Sequence, residues 1–322
     1  MRIDLAFGVA LAVLSASPAD ALQVAVISDL NGSYGSTDYQ SDVADAVAAI
    51  IDLGPDLVLV TGDMVAGQRK PALSEPEIRA MWQAFHAVVT DSLDTAGIPV
   101  AITPGNHDAS AYTGFEKERK IYGEEWRARR PDVAFAGLDG YPFFYAFDLD
   151  GVRFVSLDVT TVGPLDATQM SGLDKAVNGA GPLRIAFSHL PLWEFAQDRE
   201  TEIIGDPALA EQFDALGVDL HLSGHHHAFY PGASDGIAYV SQACLGASPR
   251  RLINVEQRGP RGFTLLDIDV EAGKIEVGFR AAPGFDQTFD MTELPERIEG
   301  FDATLLRIDL ADLPTVLLEK PE

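Results

Sequence analysis

Short, uninterrupted apolar runs alternate with longer amphipathic segments along most of the chain. The run 57–60, Leu-Val-Leu-Val, is too short for a helix and lacks polar alternation, so it predicts a strand buried on both faces. Similar strands are predicted at 23–28, 100–103, 183–187 and 218–222. Helices, whose apolar residues recur at helical spacing, are predicted at 42–53, 75–96, 115–129, 167–177 and 207–216. Strands that alternate with helices in this way predict an α/β layer.

The middle and the end of the chain follow a different, β-rich pattern. Asp150-Gly151 stands between two apolar segments, 143–149 and 152–158, and predicts a tight antiparallel hairpin. Further strands are predicted at 238–241, 263–270, 274–279 and 304–310. Because no internal repeat or low-complexity linker divides the sequence, we predict one two-sheet domain over 22–285. The segment 286–322 is predicted to be a β-rich extension of the same domain.

The composition excludes some classes of partner. The 322 residues include 23 basic and 49 acidic side chains, which gives a formal charge of −26. This net charge argues against binding to duplex nucleic acid through a broad basic face and against docking on an anionic lipid surface, so we expect neither as a partner. Cys244 is the only cysteine, so an intrachain disulfide is excluded.

The first residues resemble a targeting segment. The run 5–14 is apolar but too short to span a bilayer, and Ala19-Asp20-Ala21 fits the small-x-small cleavage pattern. We predict a signal peptide over 1–21, a mature chain that starts at Leu22, and export to the periplasm or the medium. The alternative is an apolar first helix that stays in the fold. No later run is long and apolar enough for a membrane span.

Residue types that bind metal ions gather where five of the predicted strands end. In chain order these ends supply Asp29 and Asn31, Asp63, Asn106 with His107 and Asp108, His189, and His225 with His227. Open α/β sheets place their ligand chemistry at the carboxyl ends of strands, so we expect the five loops to converge. Five of the seven histidines lie in these segments, which argues against chance clustering.

Taken in order, these motifs resemble those of the metallophosphoesterase superfamily, the calcineurin-like phosphoesterases. They are Asp29-Leu30-Asn31, Gly62-Asp63, Gly105-Asn106-His107-Asp108, His189 and Gly224-His225-His226-His227. The resemblance implies a four-layer αββα sandwich, in which helices flank two mixed β-sheets, with two metal ions at the strand ends. It implies that Asp29 and His227 bind one ion, that Asn106, His189 and His225 bind the other, and that Asp63 bridges both.

Two positions depart from the family patterns. The first motif ends in Asn31 where the family has histidine, and an amide oxygen binds a metal ion more weakly than imidazole binds Zn or Fe. Three outcomes stay open: an Asn-ligated dinuclear centre, one tight and one loose ion, or a weakened enzyme. Ala66 stands where purple acid phosphatases would place a tyrosine ligand, so that subgroup fits poorly.

The ligand types predict the chemistry. Carboxylate, amide and imidazole groups suit divalent or trivalent Mn, Fe or Zn rather than a thiolate-bound metal. Two such ions lower the pKa of a bridging water and clamp phosphate oxygens, so that hydroxide attacks phosphorus. His107 is placed to stabilise or protonate the leaving oxygen, and Asp108 either orients that imidazole or forms a turn.

These observations predict an exported, metal-dependent phosphoesterase that hydrolyses small phosphomonoesters or phosphodiesters. A nucleotide or cyclic-nucleotide phosphodiesterase and a non-catalytic metal-bound binding protein are the alternatives. Aromatic residues near the motifs either pack or stack on a base, and these are Tyr34, Tyr39, Trp193, Phe195, Phe229 and Tyr230. Arg250 and Arg251 form either an ordinary surface pair or a site for a second anionic group.

Overall fold

The apolar runs form the central strands of two β-sheets. A computed structural model describes residues 21–319, so the predicted signal peptide lies outside the described residues apart from Ala21 and stays a prediction. The strands of the described range are β1 (Leu22–Ile27), β2 (Leu57–Val60), β3 (Val100–Ile102), β4 (Ala134–Gly140), β5 (Phe144–Leu149), β6 (Val152–Ser156), β7 (Leu183–Ser188), β8 (Leu220–Ser223), β9 (Tyr230–Ser234), β10 (Ile237–Ser241), β11 (Gly262–Asp269), β12 (Lys274–Ala281), β13 (Arg297–Glu299), β14 (Thr304–Arg307) and β15 (Val316–Leu318).

Both sheets are mixed. The first has the order β15-β12-β11-β1-β2-β3, and the second has the order β13-β14-β9-β10-β8-β7-β6-β5-β4. In the first, β1, β2 and β3 run parallel, whereas β11 is antiparallel to β1. In the second, β6, β7, β8 and β10 run parallel, and β5 and β6 form the hairpin predicted around Asp150-Gly151. Parallel neighbours place their carboxyl ends at the same edge of a sheet.

Helices, apart from one single-turn helix in the loop after β3, cover the outer faces of the two sheets. They are α1 (Ser41–Leu53), α2 (Glu75–Phe85), α3 (Asp91–Ala96), α4 (Asn106–Ala109), α5 (Glu116–Ala128), α6 (Ala167–Val177) and α7 (Pro207–Ala215). The apolar faces of α1, α2 and α5 join one core with the first sheet and the inner face of the second. The apolar faces of α6 and α7 pack in a separate core on the second sheet. This arrangement confirms the predicted α/β sandwich of two mixed sheets flanked by helices.

Successive side chains of β5 point to opposite faces of the second sheet, so this strand contributes residues to both cores. Tyr145 and Phe147 belong to the core between the sheets, whereas Ala146 belongs to the core beneath α6 and α7. The buried Tyr145 hydroxyl also accepts from the Ile102 amide at 3.1 Å and donates to the Ile102 carbonyl at 2.6 Å. Because Ile102 ends β3, these bonds fix the second sheet against the first close to the motif loops.

The structure differs from the sequence prediction in a few elements. The predicted helix 75–96 is interrupted by a π-helical turn, His86–Thr90, between α2 and α3. Four strands, β4, β9, β13 and β15, were not predicted. In β9 the residues Pro231 and Gly232 lower strand propensity, and pairing with β10 and β14 overrides that preference. In the segment predicted as an extension, β13 and β14 join the second sheet and β15 pairs with β12. No helix among the described residues is long and apolar enough to cross a membrane.

Candidate metal centre

Loops from both sheets meet at one edge of the sandwich. Asp29, Asp63 and Asn106 follow β1, β2 and β3, and His189 and His225 follow β7 and β8. Because the strands within each set are parallel neighbours, the residues that follow them lie side by side. The backbone amide of His225 donates to Asp29 Oδ2 at 3.1 Å, which joins the loops of the second sheet to those of the first.

Four of the candidate ligands have a backbone conformation that L-amino acids rarely adopt. The angle φ is 52° at Asp29, 54° at Asp63, 63° at His225 and 50° at His227. A non-glycine residue in this left-handed region costs of order 1–3 kcal/mol and persists only where its surroundings hold it, commonly at functional sites. The backbone conformation that directs these side chains into one place therefore lowers the stability of the folded chain.

Two motif glycines allow the loops to approach each other. A Cβ atom on Gly105 would lie 2.1 Å from the Asp63 backbone nitrogen. A Cβ atom on Gly224 would lie 2.2 Å from Ser28 Oγ and 2.9 Å from Asp29 Oδ2. Any side chain at either position would push an acidic loop away, which is the physical reason for glycine at the start of both motifs.

Four side chains converge on one buried point between the sheets. His189 Nε2 lies 2.9 Å from Asn106 Oδ1, 3.3 Å from Asp63 Oδ1 and 3.3 Å from His225 Nδ1. One ligand atom from each of Asp63, His189 and His225 falls in a group that spans at most 4.8 Å, so these residues could hold a metal ion. His189 is fully buried, and Asp63 and Asn106 are nearly so.

In His189, His225 and Asn106, the side-chain nitrogen that points away from the shared point makes a hydrogen bond. His189 Nδ1 faces a backbone carbonyl at 2.8 Å, and His225 Nε2 faces Glu202 Oε2 at 3.0 Å. Carbonyls and carboxylates only accept, so each ring keeps a proton at that nitrogen. When the ring is neutral, as a metal ligand must be, its other nitrogen presents a lone pair to the shared point. Asn106 donates its amide nitrogen to Gln68 and presents its oxygen. Acceptor atoms that face one another in this way fit a shared cation.

A second pair of ligand atoms lies in the same loops. His227 Nε2 is 3.0 Å from Asp29 Oδ1, yet this buried oxygen has no hydrogen-bond partner within residues 21–319. His227 Nδ1 faces the Ser248 carbonyl at 3.1 Å, which leaves Nε2 with a lone pair in the neutral ring. A buried carboxylate oxygen without a partner is costly, so the pair fits a cation as well. Asn31 is buried and lines the adjoining cleft.

The electrostatics show how the chain balances these charges. Burial disfavours the charge on Asp63, but His189 and His107 outweigh it and lower the pKa of Asp63 below its ordinary value. Burial likewise opposes a charge on His189, but Asp63 and Asp29 raise the pKa of His189 to about 9. Without metal, a protonated His189 therefore stands in for a cation between the carboxylates. Metal binding must release that proton.

The hydrogen bonds of Asp108 distinguish between the two roles predicted for it. Its Oδ1 accepts from the backbone amides of residues 64 and 65 at 2.8 and 2.9 Å, and its Oδ2 accepts from the Gly105 amide at 2.9 Å. His107 Nδ1 faces the Gly67 carbonyl at 2.7 Å instead. Of the two roles predicted for Asp108, the structure supports the turn: Asp108 fixes the loop that carries Asp63, and a backbone carbonyl orients the His107 ring.

A cleft of about 540 Å³ lies over the candidate ligands. It is lined by Asn31, Asp63, His107, His225 and His227, and by the arginines Arg69, Arg250 and Arg261. The His107 side chain is 39% exposed, and its Nε2 lies 4.0 Å from Asp63 Oδ2, so the ring can meet a bound molecule. The arginines give this part of an acidic chain a positive rim that would attract an anion.

Most of the aromatic candidates are packing residues. Tyr34 lines the cleft. The other five lie within or against the two hydrophobic cores, and these are Tyr39, Trp193, Phe195, Phe229 and Tyr230. Of the six, only Tyr34 is therefore placed to stack on a base or an aryl group in the described part of the chain.

Sequence reasoning missed Glu202, which lies in the loop between β7 and α7. Its Oε2 is 3.0 Å from His225 Nε2, and its Oε1 pairs with Arg199 at 3.0 Å. The hydrogen bond from His225 lowers the pKa of Glu202, so the carboxylate stays charged. A carboxylate that accepts from a ligand imidazole fixes the ring and raises its basicity. A single glutamate outside any motif offers no signal by which the sequence would reveal this contact.

Replacing Glu202 with alanine should weaken metal binding by about 10–100-fold, because the His225 ring loses the group that orients it. Glu202→Gln keeps an acceptor oxygen and should recover part of the loss. Competition with a chromophoric chelator for Zn²⁺ measures the affinity without any turnover. Glu200→Gln, in the same loop, is the matched control and should bind as the wild type does. Equal Zn²⁺ affinity in all of these proteins would contradict the role of Glu202 in orienting the His225 ring.

The fold and the clustered oxygen and nitrogen ligands define a metal-binding α/β sandwich. A family model described as calcineurin-like phosphoesterase matches residues 22–229. The chain belongs to the calcineurin-like phosphoesterase family, which confirms the resemblance seen in its motifs and supports metal-dependent phosphoester chemistry. No curated protein matches the chain in a sequence comparison.

Several solved structures share the fold. Purple acid phosphatase PPD1 from yellow lupin (Lupinus luteus) seeds is 18% identical with a TM-score of 0.61, and the match covers 84% of this chain and 53% of that one. A dimetal phosphatase from Danio rerio is 14% identical with a TM-score of 0.50 and coverages of 77% and 93%. GAP50, the anchor in the inner membrane complex of Plasmodium, is 12% identical with a TM-score of 0.54 and coverages of 93% and 92%. At these identities the likeness shows the fold alone, and the chain spans about half the length of the lupin protein.

Proposed function

We propose that the chain is a phosphoric ester hydrolase that uses two metal ions and acts on small phosphomonoesters or phosphodiesters. The observation that carries this proposal is the convergence of acceptor atoms from Asp63, His189 and His225, with Asp29 and His227 in the adjoining loops. Bound metal ions supply hydroxide near neutral pH and offset the charge of phosphate oxygens. The ligand types suit Mn, Fe or Zn.

The residues divide into two groups around Asp63. Asn106, His189 and His225 would hold one ion, Asp29, His227 and Asn31 would hold the other, and Asp63 would contact both. The contact of Asp63 Oδ1 with His189 Nε2 at 3.3 Å supports its place in the first group. Asp63 and His227 both line the cleft, which supports a place for Asp63 beside the second group of ligands as well.

His107 is the proton donor that we propose for the leaving oxygen. Its Nδ1 is tied to the Gly67 carbonyl, so its Nε2 is the atom left to act in the cleft. As the ester bond breaks, Nε2 of the imidazolium would give its proton to the departing alkoxide. The partial exposure of the ring leaves space for an alcohol group next to it.

The test is turnover of p-nitrophenyl phosphate and bis(p-nitrophenyl) phosphate by the full chain loaded with Mn²⁺, Fe²⁺ or Zn²⁺. We expect p-nitrophenol release that is lost on chelation and restored by metal. A nucleotide and cyclic-nucleotide panel tests the narrower phosphodiesterase, which Tyr34 in the cleft favours. A folded, metal-loaded chain that is inert to every ester would contradict the proposal and favour a non-catalytic binding protein.

Asn31 is the observation that favours the non-catalytic alternative. If Asn31 is a weak ligand, Asn31→His should tighten the more loosely held ion by about tenfold, because imidazole binds Zn or Fe more strongly than an amide oxygen does. Calorimetric titration with Zn²⁺ measures the change. Thr37→His, at an exposed position of the same loop, controls for an added histidine. Unchanged affinity in Asn31→His would show that residue 31 does not bind the metal.

A further inference from the structure

A second cavity of about 440 Å³ opens beside the metal-site cleft. Four arginines line it, and these are Arg199, Arg250, Arg251 and Arg258. It shares His227, Ser248 and Arg250 with the cleft described above, so the two spaces adjoin. We call this space the arginine cavity. One carboxylate, Asp198, also lines it.

Two loops that are distant in sequence build the arginine cavity and are bonded to each other. The segment 195–199 meets the segment 250–258 through a β-bridge between Ala196 and Leu252. The Gln197 amide donates to the Arg251 carbonyl at 2.9 Å, which holds the same junction. The backbone that presents the four guanidinium groups is therefore fixed by hydrogen bonds rather than left to a free loop.

The arginines stand close to one another without enough carboxylates to offset them. Arg251 and Arg258 lie directly opposite each other across a β-bridge, an arrangement that destabilises a pair of like charges. Burial, and then the charge of Arg199, lower the pKa of Arg250. Within residues 21–319 no ion pair joins Arg250, Arg251 or Arg258 to a carboxylate, and Arg199 pairs with Glu202. The chain has 26 more acidic than basic side chains, so unpaired arginines gathered here are unusual.

Arg250 connects the arginine cavity to the candidate ligands. Its Nη1 donates to the His225 carbonyl at 2.5 Å, and its backbone amide donates to the His227 carbonyl at 3.1 Å. The arginine cavity and the metal-site cleft therefore adjoin at Arg250 and His227. Guanidinium groups bind phosphate oxygens in bidentate geometry, so phosphate is the anion that the cavity suits best.

We propose that the arginine cavity binds a second phosphoryl group of the substrate, so that the enzyme acts on organic phosphates that carry two or more phosphoryl groups. This inference rests on the proposed hydrolase function and narrows its substrate class. The scissile phosphate lies over Asp63 and the histidines, and the second phosphate lies on Arg251 and Arg258.

Binding tests the arginine cavity without turnover. Inorganic tripolyphosphate, titrated by calorimetry into the chelator-treated full chain, should bind the wild type and should bind Arg251→Gln and Arg258→Gln about tenfold more weakly each. Both arginines are exposed, so the variants should fold as the wild type does. Arg297→Gln, an exposed arginine on β13, is the matched control and should leave binding unchanged. Equal binding by all four proteins, or no binding by the wild type, would overturn the proposal.

Turnover tests the substrate class. The metal-loaded wild type should hydrolyse adenosine 3′,5′-bisphosphate with a kcat/KM about tenfold or more above that for adenosine 5′-monophosphate. Arg251→Gln and Arg258→Gln should remove that preference, because they should lower kcat/KM about tenfold more for the bisphosphate than for the monophosphate. Equal kcat/KM values for the two substrates in the wild type would overturn the proposal. Tripolyphosphate binding that depends on Arg251 and Arg258, in a chain that turns over no ester, would support the arginine cavity and refute the hydrolase function.

Discussion

Replacing Asp63 with alanine should leave the chain without its metal ions and reduce ester hydrolysis by roughly a thousandfold or more. Asp63 is the carboxylate that we place between the two groups of ligands, and two cations held near each other need a shared anion to offset their repulsion. Loss of this one side chain should therefore release both ions rather than one. Elemental analysis of the purified chain should fall from about two metal ions to none.

Two further variants separate metal binding from folding. Alanine at residue 63 is strained because φ is 54° there, whereas asparagine tolerates this conformation, so Asp63→Asn should fold as the wild type does. In metal-free Asp63→Asn, loss of the negative charge should lower the pKa of His189 below about 9, as followed by NMR. Asp45→Ala, at an exposed position of α1, should change neither the metal content nor the pKa of His189. Two metal ions retained in both residue 63 variants would refute the bridging role.

The sequence predicted those elements whose own residues favour the secondary structure that they adopt. The run 57–60 is apolar at every position, and the structure buries all four side chains in β2. The helix at 167–177 has an apolar stripe and an Asp166 cap, and α6 has the predicted bounds. The strand β9 could not be predicted in this way. Its Pro231 and Gly232 disfavour a strand, and only the neighbouring strands on both sides hold it extended.

The same distinction applies to the candidate site, where some features depend on local sequence and others depend on the completed fold. Its ligand types were visible because each follows an apolar strand, and strand ends of one sheet must lie together. The contacts that orient those ligands were not visible, because Glu202 and Gln68 come from loops whose paths depend on the completed fold. The arginine cavity is similar, since β8, β9 and β10 lie between Arg199 and Arg258 in the sequence. The loops that carry these two arginines are joined by the β-bridge between Ala196 and Leu252, which depends on the completed fold.

Replacing His107 with alanine should lower kcat by about 10²–10⁴-fold for an alkyl phosphate while the metal content stays at the wild-type level. The His107 backbone amide holds Asp63 Oδ1 at 2.9 Å, and alanine keeps that bond. The ring itself is partly exposed and contacts the Gly67 carbonyl, so its removal should cost little stability. What the variant loses is the group that we propose protonates the leaving oxygen.

The identity of the leaving group makes this prediction specific. p-Nitrophenolate departs readily without a proton, whereas a simple alkoxide needs one, so proton donation matters far more for alkyl esters. The loss in His107→Ala should therefore be several times smaller for p-nitrophenyl phosphate than for glycerol phosphate, as measured by kcat for each. His107→Gln, which can donate a hydrogen bond but not a proton, should resemble alanine with the alkyl ester. An equal loss for both esters, or a loss of metal, would mean that the ring positions the substrate or the ions rather than delivering a proton.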